Sequence, residues 1–144
     1  MGDGATKAFA TKHGADTTVN PEIRKAVIAK AKDGHLPCAA AFSIAHDLAV
    51  TPADVGRTVD LMEYRLTHCQ LGLFGYQPHK KIVEPAASVS DDLAAAIRAA
   101  LVSGRLPCRE AWAISDALNI GKRVVSGACE TLGIKIKPCQ LGAF

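Results

Sequence analysis

The chain repeats itself. Gly34-His35-Leu36-Pro37-Cys38 returns as Gly104-Arg105-Leu106-Pro107-Cys108, and Cys69-Gln70-Leu71-Gly72-Leu73-Phe74 returns as Cys139-Gln140-Leu141-Gly142-Ala143-Phe144. Both echoes stand at one offset of 70 residues, and laying 20–74 on 90–144 without a gap gives 15 identities in 55 positions. Only three of those are alanines, so an alanine-rich composition does not produce the match. A repeat at fixed offset requires one small unit to fold twice. The 144 residues therefore divide into a flexible arm (1–19), a first repeat (20–74), a linker (75–89) and a second repeat (90–144). A 55-residue unit is marginal for a core of its own. We therefore expect the two copies to pack together, and the same surfaces could pair two chains as a homodimer.

Each repeat reads as three helices followed by an extended tail. In the first repeat Asn20 is a good cap, Pro21 suits the first helical position, and Gly34 is expected to close the helix. In the second, Ser90 caps, Asp91 and Asp92 favour the positive helix end, and Gly104 is expected to close. The second helices are expected to start at Pro37 and Pro107. Their apolar faces are Ala41, Ile44, Ala45 and Leu48, and Ala111, Ile114, Ser115 and Leu118, flanked by Phe42 and Trp112. Thr51-Pro52 opens a third helix carrying Val55, Val59, Met62 and Leu66, echoed by Val125, Cys129, Leu132 and Ile136. These helices are expected to end near 63 and 132. Residues 64–69 and the better-alternating 134–137 read as short strands.

The stretch from Ala41 to Val59, with Ile44-Ala45, Leu48, Val50, a short turn and Val55-Gly56-Arg57, resembles a helix-turn-helix of the winged-helix type. The resemblance covers 21–66 and, less closely, 91–136. It implies a mainly α fold with minor β: two tandem winged-helix-like three-helix units. It further implies that Ala45 and Ser115 let two helices cross closely, that Val50 and Ile120 plug the space between them, and that the extended segment is a wing or hairpin. The third helix would be the recognition helix, entering a DNA major groove. The function implied is a DNA-binding transcriptional regulator.

On that reading the DNA contacts are Arg57, Thr58, Lys122, Arg123 and Ser126, with Lys80 and Lys81 of a His79-Lys80-Lys81 cluster on phosphates. Charge argues the other way. Residues 20–74 carry six basic and six acidic groups, the linker is +1, and 90–144 is +2, which together give the net +3 of the chain. Proteins that neutralise many phosphates usually concentrate more positive charge than this. An interaction scaffold that uses the same shape without nucleic acid is therefore a standing alternative.

The five cysteines support a third reading. Cys38 and Cys108 precede equivalent helices, Cys69 and Cys139 lie in equivalent tails, and Cys129 stands alone. Each repeat thus brings two thiols together, as buried packing groups, as a redox pair, or as half of a metal site. His35 and His68 would complete a two-cysteine, two-histidine zinc set in the first repeat, but the second has Arg105 and Pro138 there. Burial is the simplest reading, and no metal or cofactor is expected.

Catalysis has little support. The chain has no phosphate-binding glycine loop, metalloprotease helix or nucleophile elbow. His46-Asp47 reads as surface. No apolar run reaches the ~18 residues of a membrane helix, and the first nineteen residues resemble no export signal. With an odd number of cysteines, the expected compartment is a reducing cytoplasm.

Overall fold

In both repeats the first helix begins on a polar cap. The computed structural model describes residues 18–77 and 80–143, and these form two compact units, Met1–Cys69 and Gln70–Phe144. In the first unit, Asn20 Oδ1 accepts from the backbone N–H groups of Glu22 (2.9 Å) and Ile23 (3.1 Å), opening α1 (Pro21–Lys30). Ile23 and Val27, one turn apart, are the residues this helix buries.

Gly34 does not close α1, which already ends at Lys30. Asp33 (φ 53°) and Gly34 (φ 76°) instead form a two-residue turn, in which Lys32 and His35 exchange both N–H···O bonds at 2.9 Å. Positive φ at both central positions is what a type I′ hairpin turn demands, and Asp-Gly supplies it at low cost. The turn delivers the chain into β1 (His35–Pro37), and Pro37 is then the N-cap, rather than the first residue, of α2 (Cys38–Leu48).

A single left-handed residue, Ala49 (φ 54°), reverses the chain after α2. The N–H of Val50 bonds back to Ala45 O at 3.0 Å, and Thr51 caps α3 (Pro52–Leu61) by accepting from Asp54 N–H at 3.1 Å. The chain then enters β2 (Arg65–Thr67), which pairs parallel with β1 in the register His35↔Arg65, Leu36↔Leu66, Pro37↔Thr67. This replaces the expected wing. A strand leading into two helices and a strand leaving them run in the same direction, so they join as a parallel crossover pair and not as a hairpin. Ile23, Val27, Leu36, Ala41, Ile44, Val55 and Val59 form the core.

The second unit repeats the plan. Ser90 Oγ accepts from Leu93 N–H (3.2 Å) to open α4 (Asp91–Ala99); Ser103 (φ 53°) and Gly104 (φ 79°) make the equivalent turn. Then follow α5 (Cys108–Leu118), left-handed Asn119 (φ 55°), and α6 (Lys122–Leu132), closed by Gly133 (φ 69°). Ser115, at the helix crossing, donates to Ile120 O at 2.6 Å. The parallel pairing contracts to one bridge, Leu106↔Ile136, so the segment with the better alternation is the poorer strand. Pro138 follows it, and its fixed φ and missing N–H suit the end of a ladder. Leu93, Ile97, Leu106, Ala111, Ile114, Val125 and Cys129 are buried at the positions that make up the first unit's core, each 70 residues further on.

The division between the units falls at Cys69/Gln70, not at the expected 74/75. Residues 70–77 and 80–89 belong to the second unit and pack on it. Ile82 and Val83 N–H both bond to Gly72 O (2.9 and 3.1 Å), and Ala86 N–H bonds to Gly127 O (3.0 Å). The arm expected over 1–19 falls, except for its last two residues, outside the described residues. No helix among the described residues is long and apolar enough to cross a membrane.

Candidate nucleic-acid interface

A recognition helix must present a bare face, so the surfaces of α3 and α6 decide what each unit can reach. On α3, Thr51 and Arg57 are exposed. Arg57 Nη2 lies 2.6 Å from Asp54 Oδ1 one turn earlier. Hydrogen bonding from Thr51, with Arg57 alongside, holds the Asp54 carboxyl below its ordinary value. The guanidinium expected to meet DNA is thus shared with a carboxylate on its own helix. Thr58 is a correction. Its residue is 3% exposed and its hydroxyl donates to Asp54 O at 3.0 Å, so it belongs to the interior side of α3.

On α6 the first turn is open, whereas residues 125–129 are buried. Arg123 is exposed, Val124 is 51% exposed, and Lys122 Nζ lies 4.6 Å from the centroid of the Trp112 ring. A cation over an indole face is held by the ring quadrupole, which fixes Lys122 beside the start of the helix. Ser126 is a second correction, since it is fully buried and its Oγ donates to Leu71 O at 2.7 Å. Beyond it the chain covers its own helix. Thr131 Oγ1 donates to Ala86 O at 2.7 Å, and Lys81 Nζ pairs with Glu130 Oε2 at 2.9 Å. A Cβ on Gly127 would stand 2.8 Å from Glu84 O, so glycine is what allows the segment to lie this close. In the first repeat the same position is Arg57.

Of the expected contacts, Arg57, Lys80, Lys122 and Arg123 therefore remain at the surface, Lys81 is paired with Glu130, and Thr58 and Ser126 are interior. His79 lies outside the described residues. The residues missed in the sequence are Gly127 and Thr131 as docking positions. A glycine in mid-helix, opposite an arginine in the sister repeat, was the available signal.

The five cysteines are all thiols, with Cys38, Cys69, Cys108 and Cys129 buried and Cys139 partly exposed. Among the described residues no three histidine, cysteine or acidic side chains converge on a possible metal position, so His35, Cys38, His68 and Cys69 do not assemble a zinc set. Burial, with Glu130 next to it, pushes the Cys129 thiol up to about 11. It borders a cavity of about 540 Å³ that is lined also by Phe74, Ile134, Ile136 and Lys135. No family model, curated protein or solved structure matches the chain.

Proposed function

We propose that the chain is a DNA-binding module of the helix-turn-helix kind, acting in transcriptional regulation, with the Arg57 face of α3 and the first turn of α6 as its contact surfaces. The observation that carries this reading is the shared geometry of the two units. In each, one left-handed residue and one cap residue set the third helix off from the second, with basic side chains at its surface: exposed Arg123 and half-buried Lys122 in one unit, exposed Arg57 in the other. Arg123 and Arg57 are the candidates for base edges, while Lys122 and Lys80 suit phosphates. The reading includes a reducing cytoplasm, pairing as a homodimer, and no catalysis. Fluorescence anisotropy on a mixed duplex DNA pool at 50 and 200 mM salt tests it. Binding that weakens with salt, and weakens again in Arg57→Ala/Arg123→Ala, is the expected result. Binding indifferent to both substitutions would sink it.

A second reading, an interaction module without nucleic acid, draws on the middle of α6. That face already holds an extended segment through Gly127 O and Thr131 Oγ1. Folded protein that gives no DNA signal at 50 mM salt would favour this reading.

A further inference from the structure

The tail of the second unit returns to the start of α5. The N–H of Cys108 bonds to Pro138 O at 3.0 Å, and the side-chain amide of Gln140 reaches Cys108 Sγ at 3.6 Å. Cys139 lies between those two partners in sequence, and its own sulfur accepts from Leu141 N–H at 3.4 Å. By standard backbone dimensions a 3.0 Å bond to the carbonyl of residue 138 leaves the α-carbons of Cys108 and Cys139 within about 7 Å. That is the separation a disulfide spans. Each sulfur also has an N–H donor within hydrogen-bond reach.

The first unit carries the equivalent pair beside its own ladder. Pro37 pairs with Thr67 at the ladder's end, and Cys38 and Cys69 follow one and two residues later. The copies differ in access. Cys38 and Cys69 are 6% and 4% exposed, whereas Cys108 is 5% exposed and Cys139 is partly open to solvent.

We propose that Cys108 and Cys139 form a reversible dithiol–disulfide pair, in which Cys139 meets a low-molecular-weight disulfide and Cys108 resolves it. Cys139, having released its proton to water, attacks one sulfur of the small disulfide RSSR. The S–S bond breaks, a Cys139–SR bond forms, and the departing thiolate takes up a proton. Cys108 then loses its proton and attacks Cys139 Sγ, releasing the second RSH and closing the internal disulfide. Two protein thiols are oxidised by two electrons, and RSSR is reduced to two RSH. Cys38 and Cys69, with no open thiol to begin the exchange, stay reduced while the chain is folded.

The test exposes the reduced full chain to oxidised glutathione, quenches with an alkylating reagent, and maps the peptides by mass spectrometry without reduction. The expected first product is a Cys108–Cys139 cross-linked peptide, with Cys38, Cys69 and Cys129 all alkylated after denaturation. In Cys108→Ser the Cys139–glutathione adduct should accumulate about tenfold over its level in the unaltered chain, because nothing resolves it. Native labelling of the unaltered chain, which depends on no variant folding, should modify Cys139 first. A first disulfide at Cys38–Cys69 or between chains, a chain that stays fully reduced, or initial labelling elsewhere overturns the proposal.

Discussion

Ser126 donates its hydroxyl to the carbonyl of Leu71 across 2.7 Å, and so joins the last helix to a segment 55 residues earlier in the chain. The serine is fully buried, as is Leu71. Removing the hydroxyl would strand a carbonyl that has left water, a loss of about 1–3 kcal/mol. Ser126→Ala should lower the urea midpoint of the chain accordingly, and Ser126→Thr, which keeps the donor in a tight site, should also lose stability. An unchanged midpoint in the alanine variant would mean that water replaces the serine.

Gly127→Ala sets two effects against each other. Alanine in a helix interior gains about 1 kcal/mol over glycine, but its Cβ would stand 2.8 Å from Glu84 O, a backbone atom with no rotamer to yield. Overpacking of this kind costs about 1–3 kcal/mol, so the expected net effect is local release of 84–86. Limited trypsin digestion reads it through faster cleavage at Lys80 and Lys81, without a comparable loss of helix by circular dichroism.

Asp54→Asn should free Arg57 for solvent. If α3 meets DNA, affinity should rise by up to about fivefold at low salt, since a surface pair of this kind is worth at most about 1 kcal/mol. The folded carboxyl titrates below its unfolded value of 3.8. Its contribution is therefore complete above pH 3.8 and fades as the pH falls through the folded value. The stability gap between the unaltered chain and Asp54→Asn should accordingly close in acid, as followed by urea titrations across that range.

Cys129 behaves in the opposite sense. Its folded thiol titrates at about 11 against 9.0 unfolded, so folding favours the protonated form. Stability should hold below pH 9.0 and fall as the pH rises from there toward about 11. Val59 fills the same position in the first unit and is fully buried. Cys129→Val should therefore fold and flatten the alkaline loss, which thermal melts from about pH 8 to about pH 11 would resolve.

Much of the fold was legible because the signals were local. Asn20, Thr51 and Ser90 cap helices through their own side chains, and the apolar positions 23, 27, 44, 55 and 59 recur 70 residues on in the core. Gly34 is ambiguous in sequence because a glycine after a helix serves equally to end it or to turn a hairpin, and Asp33 with positive φ decides for the turn. The wing failed because residues 64–67 say that a strand is present but not which strand it joins. The sequence does not place Thr58 and Ser126 inward, because a hydroxyl on an amphipathic helix satisfies either side. Their partners, Asp54 O and Leu71 O, are backbone atoms that leave no mark in the sequence.

The docking of 84–86 on α6 also sets terms for any outside partner. A segment tethered to its own helix acts at an effective concentration in the millimolar range, and it never diffuses away. A peptide that sought Gly127 and Thr131 would compete with a ligand that is always present, and would need to bind better than the tether by the ratio of the two concentrations. At micromolar levels that is a handicap of about a thousandfold. Weak visitors are thereby turned away from the middle of α6, while its basic first turn stays open to them.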